Sequence, residues 1–174
     1  MSTGKQPDAA PDAIPARTAA RLAAVQALYQ MDLAGTDLTD VIEEFLTQRM
    51  GDPGKVAPDE TASNAATSGA DRQFFSDILK GVVRRQREID PLVDDQLATG
   101  WRLVRVDSIL RAALRAGVYE LLDRRDVPAR VVINEYINVA HAFFADDEPR
   151  VVNGVLDKVA RKVRPKEFEK KTGA

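Results

Sequence analysis

The 174-residue sequence contains no cysteine and a single histidine. Disulfides, cysteine-based zinc sites, iron–sulfur clusters and thiol catalysis are thereby excluded together, and His141 alone cannot supply a multi-histidine metal site. No run approaches the ~20 apolar residues that a membrane span requires. The first 16 residues lack the apolar stretch of a secretory signal and carry Pro7, Pro11 and Pro15, so they read as a flexible tail and the expected address is cytoplasmic. A large excess of either charge is also missing. The net charge is only -2, too little positive charge for a protein that coats nucleic acid by itself.

That charge is unevenly placed. Residues 1–70 hold 5 basic and 10 acidic side chains, whereas residues 71–174 hold 20 and 17, so any nucleic-acid contact must come from local clusters. The hydrophobic fraction of 44% and charged fraction of 30% are ordinary for a globular domain. The length suits one domain with a real core.

Apolar residues recur at three- and four-residue steps throughout, and no alternating period-two segment competes with them. The expected fold is therefore all-α, a single compact domain of about seven helices over residues 17–164, with an exposed loop at 51–69 and a charged tail at 165–174. The first helix runs from Arg17 to Leu33, with Leu22, Val25, Tyr29 and Leu33 as its apolar stripe. Asp37 or Thr36 caps a second helix through about Arg49. Composition then shifts to Gly, Pro, Ser, Thr and Asn across 51–69. A third helix spans about 71–88, closed by Arg84, Arg85 and Arg87, and Pro91 opens a short fourth. Asp107 caps a central helix, SILRAALRAGVYELL. Two more follow, over about 128–145 and from Pro149 to Val163.

Motifs for catalysis are absent. Gly81, Gly100, Gly117 and Gly154 stand alone and form no phosphate-binding loop, and neither G-x-S-x-G nor H-E-x-x-H occurs. His141 reads as a helix-surface histidine. Asp94 with Asp95, and Asp146 with Asp147 and Glu148, fit solvated helix ends better than a paired-carboxylate site. No enzyme activity, cofactor or metal is expected.

Several polar positions have two readings. Arg17 and Arg21 lie four apart and project from one side of the first helix, where two guanidinium groups can engage an anion. Tyr29 is either a core tyrosine or a platform for an unpaired base. Asp107 can pair with Arg111, leaving Arg115 for an external contact or a surface salt bridge. Asn134 and Asn138 share a helix face and can fasten two helices, and Gly154 suggests a close-packed neighbour.

Four stretches in this order, RLAAVQALYQMDL (21–33), SILRAALRAGVYEL (108–121), DVPARVVINEYINVAHAF (126–143) and VVNGVLDKV (151–159), resemble the NusB family. The resemblance covers most of residues 17–163. It implies a non-catalytic, all-helical transcription antitermination factor that pairs with NusE, a small-subunit ribosomal protein. It also implies binding of boxA RNA during ribosomal RNA transcription, within an elongation complex containing other Nus factors. A homodimer stays open. The family's RNA site, carried over residue by residue, falls on the arginine-rich start of the first helix (Arg17, Arg21), on Tyr29, and on Asp147 with its basic neighbour Arg150. Arg115 is added from its charge. Thr18 and Ala19 stand where some relatives have further basic residues, and Val151 replaces an aromatic residue. Both departures weaken RNA binding by the chain alone and make a partner more important. The rivals are a helical adaptor without RNA binding, and an RNA-modifying enzyme carrying a NusB-like domain. The latter lacks any glycine-rich cofactor fingerprint here.

Overall fold

The computed structural model describes residues 14–50, 69–97, 102–103 and 106–169. Most of the N-terminal tail and of the 51–69 loop therefore lie outside the described residues. Those described are all helical, without strands: α1 (Ala16–Ala34), α2 (Leu38–Glu44), α3 (Arg72–Gln96), α4 (Ser108–Asp123), α5 (Ala129–Phe143) and α6 (Glu148–Val163). A π-helical turn, Phe45–Arg49, prolongs α2, and a 3-10 turn, Pro165–Phe168, follows α6.

The ends follow local chemistry. The Asp37 carboxylate accepts from Thr39 N, Asp71 from Phe74 N and Asp107 from Ile109 N and Leu110 N, which satisfies amide groups that have no intrahelical partner. Gly35 ends α1 at φ 64°, a left-handed conformation that costs glycine little, with its N–H donated to Met31 O.

The count is six rather than seven because Pro91 lies inside one continuous α3. Proline removes the hydrogen bond to the carbonyl four residues earlier. Here that residue is Arg87, and both Arg87 and Pro91 are exposed, so water can satisfy the freed carbonyl. Arg84, Arg85 and Arg87 consequently sit in mid-helix. Arg84 and Arg85 pair with Asp123 at the end of α4.

Helix α4 is the centre of the domain, packed against α1, α3, α5 and α6. Its burial runs without interruption from Ala116 to Leu121. Helix α1 also has neighbours on several sides, and its buried residues are mainly Ala19, Ala20, Ala23, Ala24 and Ala27, with Val25 and Leu28. The expected stripe is thus only partly the core face. Leu22 and Tyr29 are half-buried and Leu33 is 61% exposed, because close helix packing selects methyl groups and leaves larger side chains to the periphery.

Two glycines permit close approach within this core. A Cβ at Gly81 would lie 2.0 Å from Tyr119 Cε2, and one at Gly117 would lie 2.8 Å from Leu156 Cδ1. Gly154, by contrast, has nothing within 4 Å, so the close neighbour expected there is not present. The two should respond oppositely to alanine. Gly81→Ala is expected to destabilise by about 2 kcal/mol through overpacking, and Gly154→Ala to stabilise by about 0.5–1 kcal/mol through helix propensity. Urea midpoints compare them.

Tyr119 donates its hydroxyl to Asp77 at 2.9 Å. Burial, aided by that carboxylate, pushes its pKa up to about 12. Burial likewise raises the fully enclosed Tyr136 well above the ordinary tyrosine value. For a group whose folded pKa is raised, the stabilising contribution is full below the unfolded pKa, ~10 for tyrosine, and is lost as pH rises through the folded value. Stability should therefore decline from about pH 10 to pH 12, and Tyr119→Phe should make that decline shallower in alkaline denaturation.

Residues 165–168, expected at the start of the charged tail, form the 3-10 turn. Glu167 accepts the N–H of Ala129 at 3.0 Å, and Arg161 lies over the Phe168 ring, so the 3-10 turn packs back on the domain. Buried Arg164 fixes it, donating to the carbonyls of Glu120, Leu121, Arg124 and Val127.

Candidate nucleic-acid interface

The first turn of α1 places Arg17 at the surface and Arg21 one turn further on, inside. Arg21 is 2% exposed and makes a bidentate pair with Glu120 of α4, Nε–Oε2 2.8 Å and Nη2–Oε1 2.9 Å. Its Nη1 lies 3.7 Å from Glu135 of α5, whose carboxylate also accepts from Thr18 at 2.9 Å. Burial works against the Arg21 charge, but the bond to Glu120 and the surrounding acids outweigh it and hold the pKa above the ordinary arginine value. The expectation that Arg17 and Arg21 face solvent together is therefore corrected: α4 and α5 cover the second arginine.

Arg17 remains half-exposed. Its guanidinium lies 4.5 Å from the Phe74 ring centroid and 3.4 Å from Asp126 Oδ2, with Asp71 at 3.9 Å. Arg124 reaches the same Asp126 oxygen at 3.0 Å and the same ring at 5.0 Å. Slight burial opposes ionisation of Asp126, yet Arg124 and Arg17 prevail and hold its carboxyl below the usual range.

Three turns along α1 from Arg17, the half-buried Tyr29 forms one wall of a cleft of about 420 Å³. Gln26, Gln30, Leu33, Arg49, Ile109 and Phe143 complete its principal lining. This volume lies within the range of small-ligand pockets. The aromatic wall offers a stacking face of the kind that takes a nucleobase, while Gln30 beside it donates to Glu44 at 2.9 Å and Arg49 lies over the Phe45 ring and 3.9 Å from Glu44. Sequence patterning did not single out Gln26, Gln30, Arg49 or Phe143. The cleft is assembled from four elements far apart in the chain, and of its lining only Tyr29 and the stripe residue Leu33 signal it in the sequence.

A match to the NusB family model spans residues 18–161. The chain belongs to the NusB family. Among its relatives, the transcription antitermination protein NusB of Rhodopseudomonas palustris strain TIE-1 is 52% identical over 149 residues, covering 86% of this chain and 81% of that protein. NusB of Allorhizobium ampelinum is 50% identical over 143 residues, covering 82% of this chain and 84% of that protein. The solved NusB of T. maritima superposes with a TM-score of 0.67 at 26% identity, over 88% of this chain and 97% of the other. A similar fold, TM-score 0.64 at 22% identity, occurs in a crystal structure of antitermination factors NusB and NusE with double-stranded RNA, covering 83% of this chain and 96% of that one. As a NusB-family protein, the chain is a transcription antitermination factor and not an enzyme. No helix among the described residues is long and apolar enough to cross a membrane.

The other positions singled out for the NusB interface separate into two groups. Arg115 is committed internally: it forms two 2.9 Å bonds to Asp90 of α3, so the salt-bridge alternative describes it. Arg111 pairs with Asp32 rather than with Asp107, whose carboxylate caps α4 instead. Asp147 and Arg150, at the start of α6, are both exposed. The Asp147 carboxylate makes no capping bond, so helix capping does not account for it. Asn134 and Asn138 face solvent and do not join helices; Glu135 and Thr18 make that link. His141 is exposed, on the last turn of α5.

Proposed function

We propose that this chain binds boxA-like single-stranded RNA as a heterodimer with the ribosomal protein NusE, and so promotes ribosomal RNA transcription in the cytoplasm with other Nus factors. The observation that carries the reading is the cleft walled by Tyr29 and Phe143, set on the same helix as the surface arginine Arg17. A base stacked in that cleft leaves its backbone to run along α1 toward Arg17, with Asp147 and Arg150 beside the connection that follows Phe143. The related NusB and NusE complex, which holds double-stranded RNA, supports the choice of partner and of RNA as the class of ligand.

The electrostatics favour a partner. Arg21 and Arg115 are already neutralised by Glu120 and Asp90, and Arg17 shares Asp126 with Arg124. Few cations are left along this face. A basic ribosomal protein docked beside it would supply the positive potential that a chain of net charge -2 lacks.

The test is a titration of boxA RNA against the heterodimer. Tyr29→Ala is expected to weaken binding by about 5- to 150-fold, since stacking on an aromatic side chain contributes ~1–3 kcal/mol per base. Arg17→Ala should weaken it less and make the salt dependence shallower. Unchanged affinity in Tyr29→Ala would remove the cleft from the interface.

A further inference from the structure

Where the connection between α4 and α5 meets the end of α6 lies a recess of 290 Å³ lined by Arg125, Val163, Arg164, Pro165, Lys166 and Glu167. Arg164 is its floor, with its donors spent on backbone carbonyls. Glu167 is likewise engaged, with Arg164 and with the Ala129 N–H. The other cations are different. Arg125 and Lys166 line the recess and Lys162 stands on the helical turn that leads into it; all three are exposed, and none forms an ion pair with any described residue. The negative pole of α6 attracts cations, and Arg125 meets it through a 3.5 Å contact to Val163 O. Lys162 and Lys166 make no such bond.

We infer that this recess is a second phosphate-binding site, which takes the RNA backbone after it has passed Arg17; the inference rests on the RNA-binding reading above. Continuity supports it. The short connection between α4 and α5 belongs to both places: Asp126 meets Arg17, and its neighbour Arg125 lines the recess. From Tyr29 to Arg17 the track follows α1 for about 18 Å at the usual helical rise, and the connection that carries Asp126 and Arg125 links Arg17 to the recess. The chemistry also selects a polyanion over a protein. The large apolar side chains exposed among the described residues are Ile14, Leu33, Val83 and Val131, and none lines the recess, so it lacks the apolar anchor of a protein interface. A guanidinium and an ammonium group in the recess, with Lys162 on the adjoining turn, suit phosphates that follow one another along a strand.

The experiment compares the NusE heterodimers of the wild type and of a variant combining Arg125→Ala, Lys162→Ala and Lys166→Ala. Each binds two RNAs, a short one spanning only Tyr29 to Arg17 and one of twice that length. All three residues are on the surface, so the fold should persist, which a thermal melt verifies. The short RNA should bind both proteins equally. The long RNA should bind the variant about tenfold more weakly, with a salt slope shallower by about 2, near 0.7 for each lost single-strand phosphate contact. Equal slopes and affinities for the long RNA would overturn the inference and point to an acidic protein as the occupant. Equal loss on both RNAs would also overturn it, because the recess would then act on the first site. Failure of the underlying reading looks different: wild type and Tyr29→Ala would bind neither RNA measurably, or would bind them identically.

Discussion

Replacing Arg21 with alanine is expected to remove about 3–5 kcal/mol of stability, the cost of leaving a buried carboxylate without its partner. Glu120 is fully buried, and both its oxygens accept from the Arg21 guanidinium. The same substitution removes the contact with Glu135 and the guanidinium 4.9 Å from the Phe74 ring. A domain has only about 5–15 kcal/mol in total, so the variant would lose a large share of its folded population on warming. The double replacement Arg21→Met with Glu120→Leu separates charge from shape. Well-packed apolar pairs often equal or exceed the ion pair they replace, so the double variant should regain most of the lost stability. Urea unfolding measures both. A single variant losing less than about 1 kcal/mol, the range of exposed pairs, would mean that water reaches Glu120.

Arg164→Ala is the second large effect, about 3–5 kcal/mol, because one side chain serves four carbonyls in the region where α4 ends. The distances are 2.8 Å to Leu121 O, 2.6 Å to Val127 O, 2.9 Å to Glu120 O and 2.8 Å to Arg124 O. Glu120 O and Arg124 O also accept from the N–H groups of Arg124 and Val127, so the guanidinium is a second donor to these two; hydrogen bonds to a charged group contribute roughly 1.5–3 kcal/mol each before overlap is discounted. Lysine should recover little. Its point charge cannot spread donors across a planar fork, so Arg164→Lys is expected to remain nearer to alanine than to wild type. Amide hydrogen exchange gives the local signature: protection should fall around Val127 and Ala129 together with the turn at 165–168. Protection lost uniformly across the domain would place Arg164 in the global core instead.

Both arginines show where sequence reasoning succeeds and where it stops. Periodicity located every helix of the described residues, because an apolar stripe is a local property of ten to twenty positions. The interior of α4 was readable for the same reason: SILRAALRAGVYELL has few polar residues to place outside. Arg21 was misread because a helix with neighbours on several sides has no single wet face, and that depends on residues a hundred positions away. The alanines of α1 carried the hint. Pro91 was read as a boundary, since its rule concerns the backbone alone, whereas in the fold Arg87 and Pro91 lie at the surface, where water can replace the lost bond and the helix continues. The site was legible only in part: Tyr29 and Arg17 stand out locally, while Phe143, Arg49 and the two glutamines join them through the fold.

The alanine surface of α1 has one more consequence. Methyl groups pressed against α3, α4 and α5 leave the helix no room to slide or turn. The separation between Tyr29 and Arg17 is then as invariant as the helical rise itself. Under the RNA-binding mode proposed above, α1 acts as a ruler, and the length of RNA measured out between its two marks is set by the protein's interior.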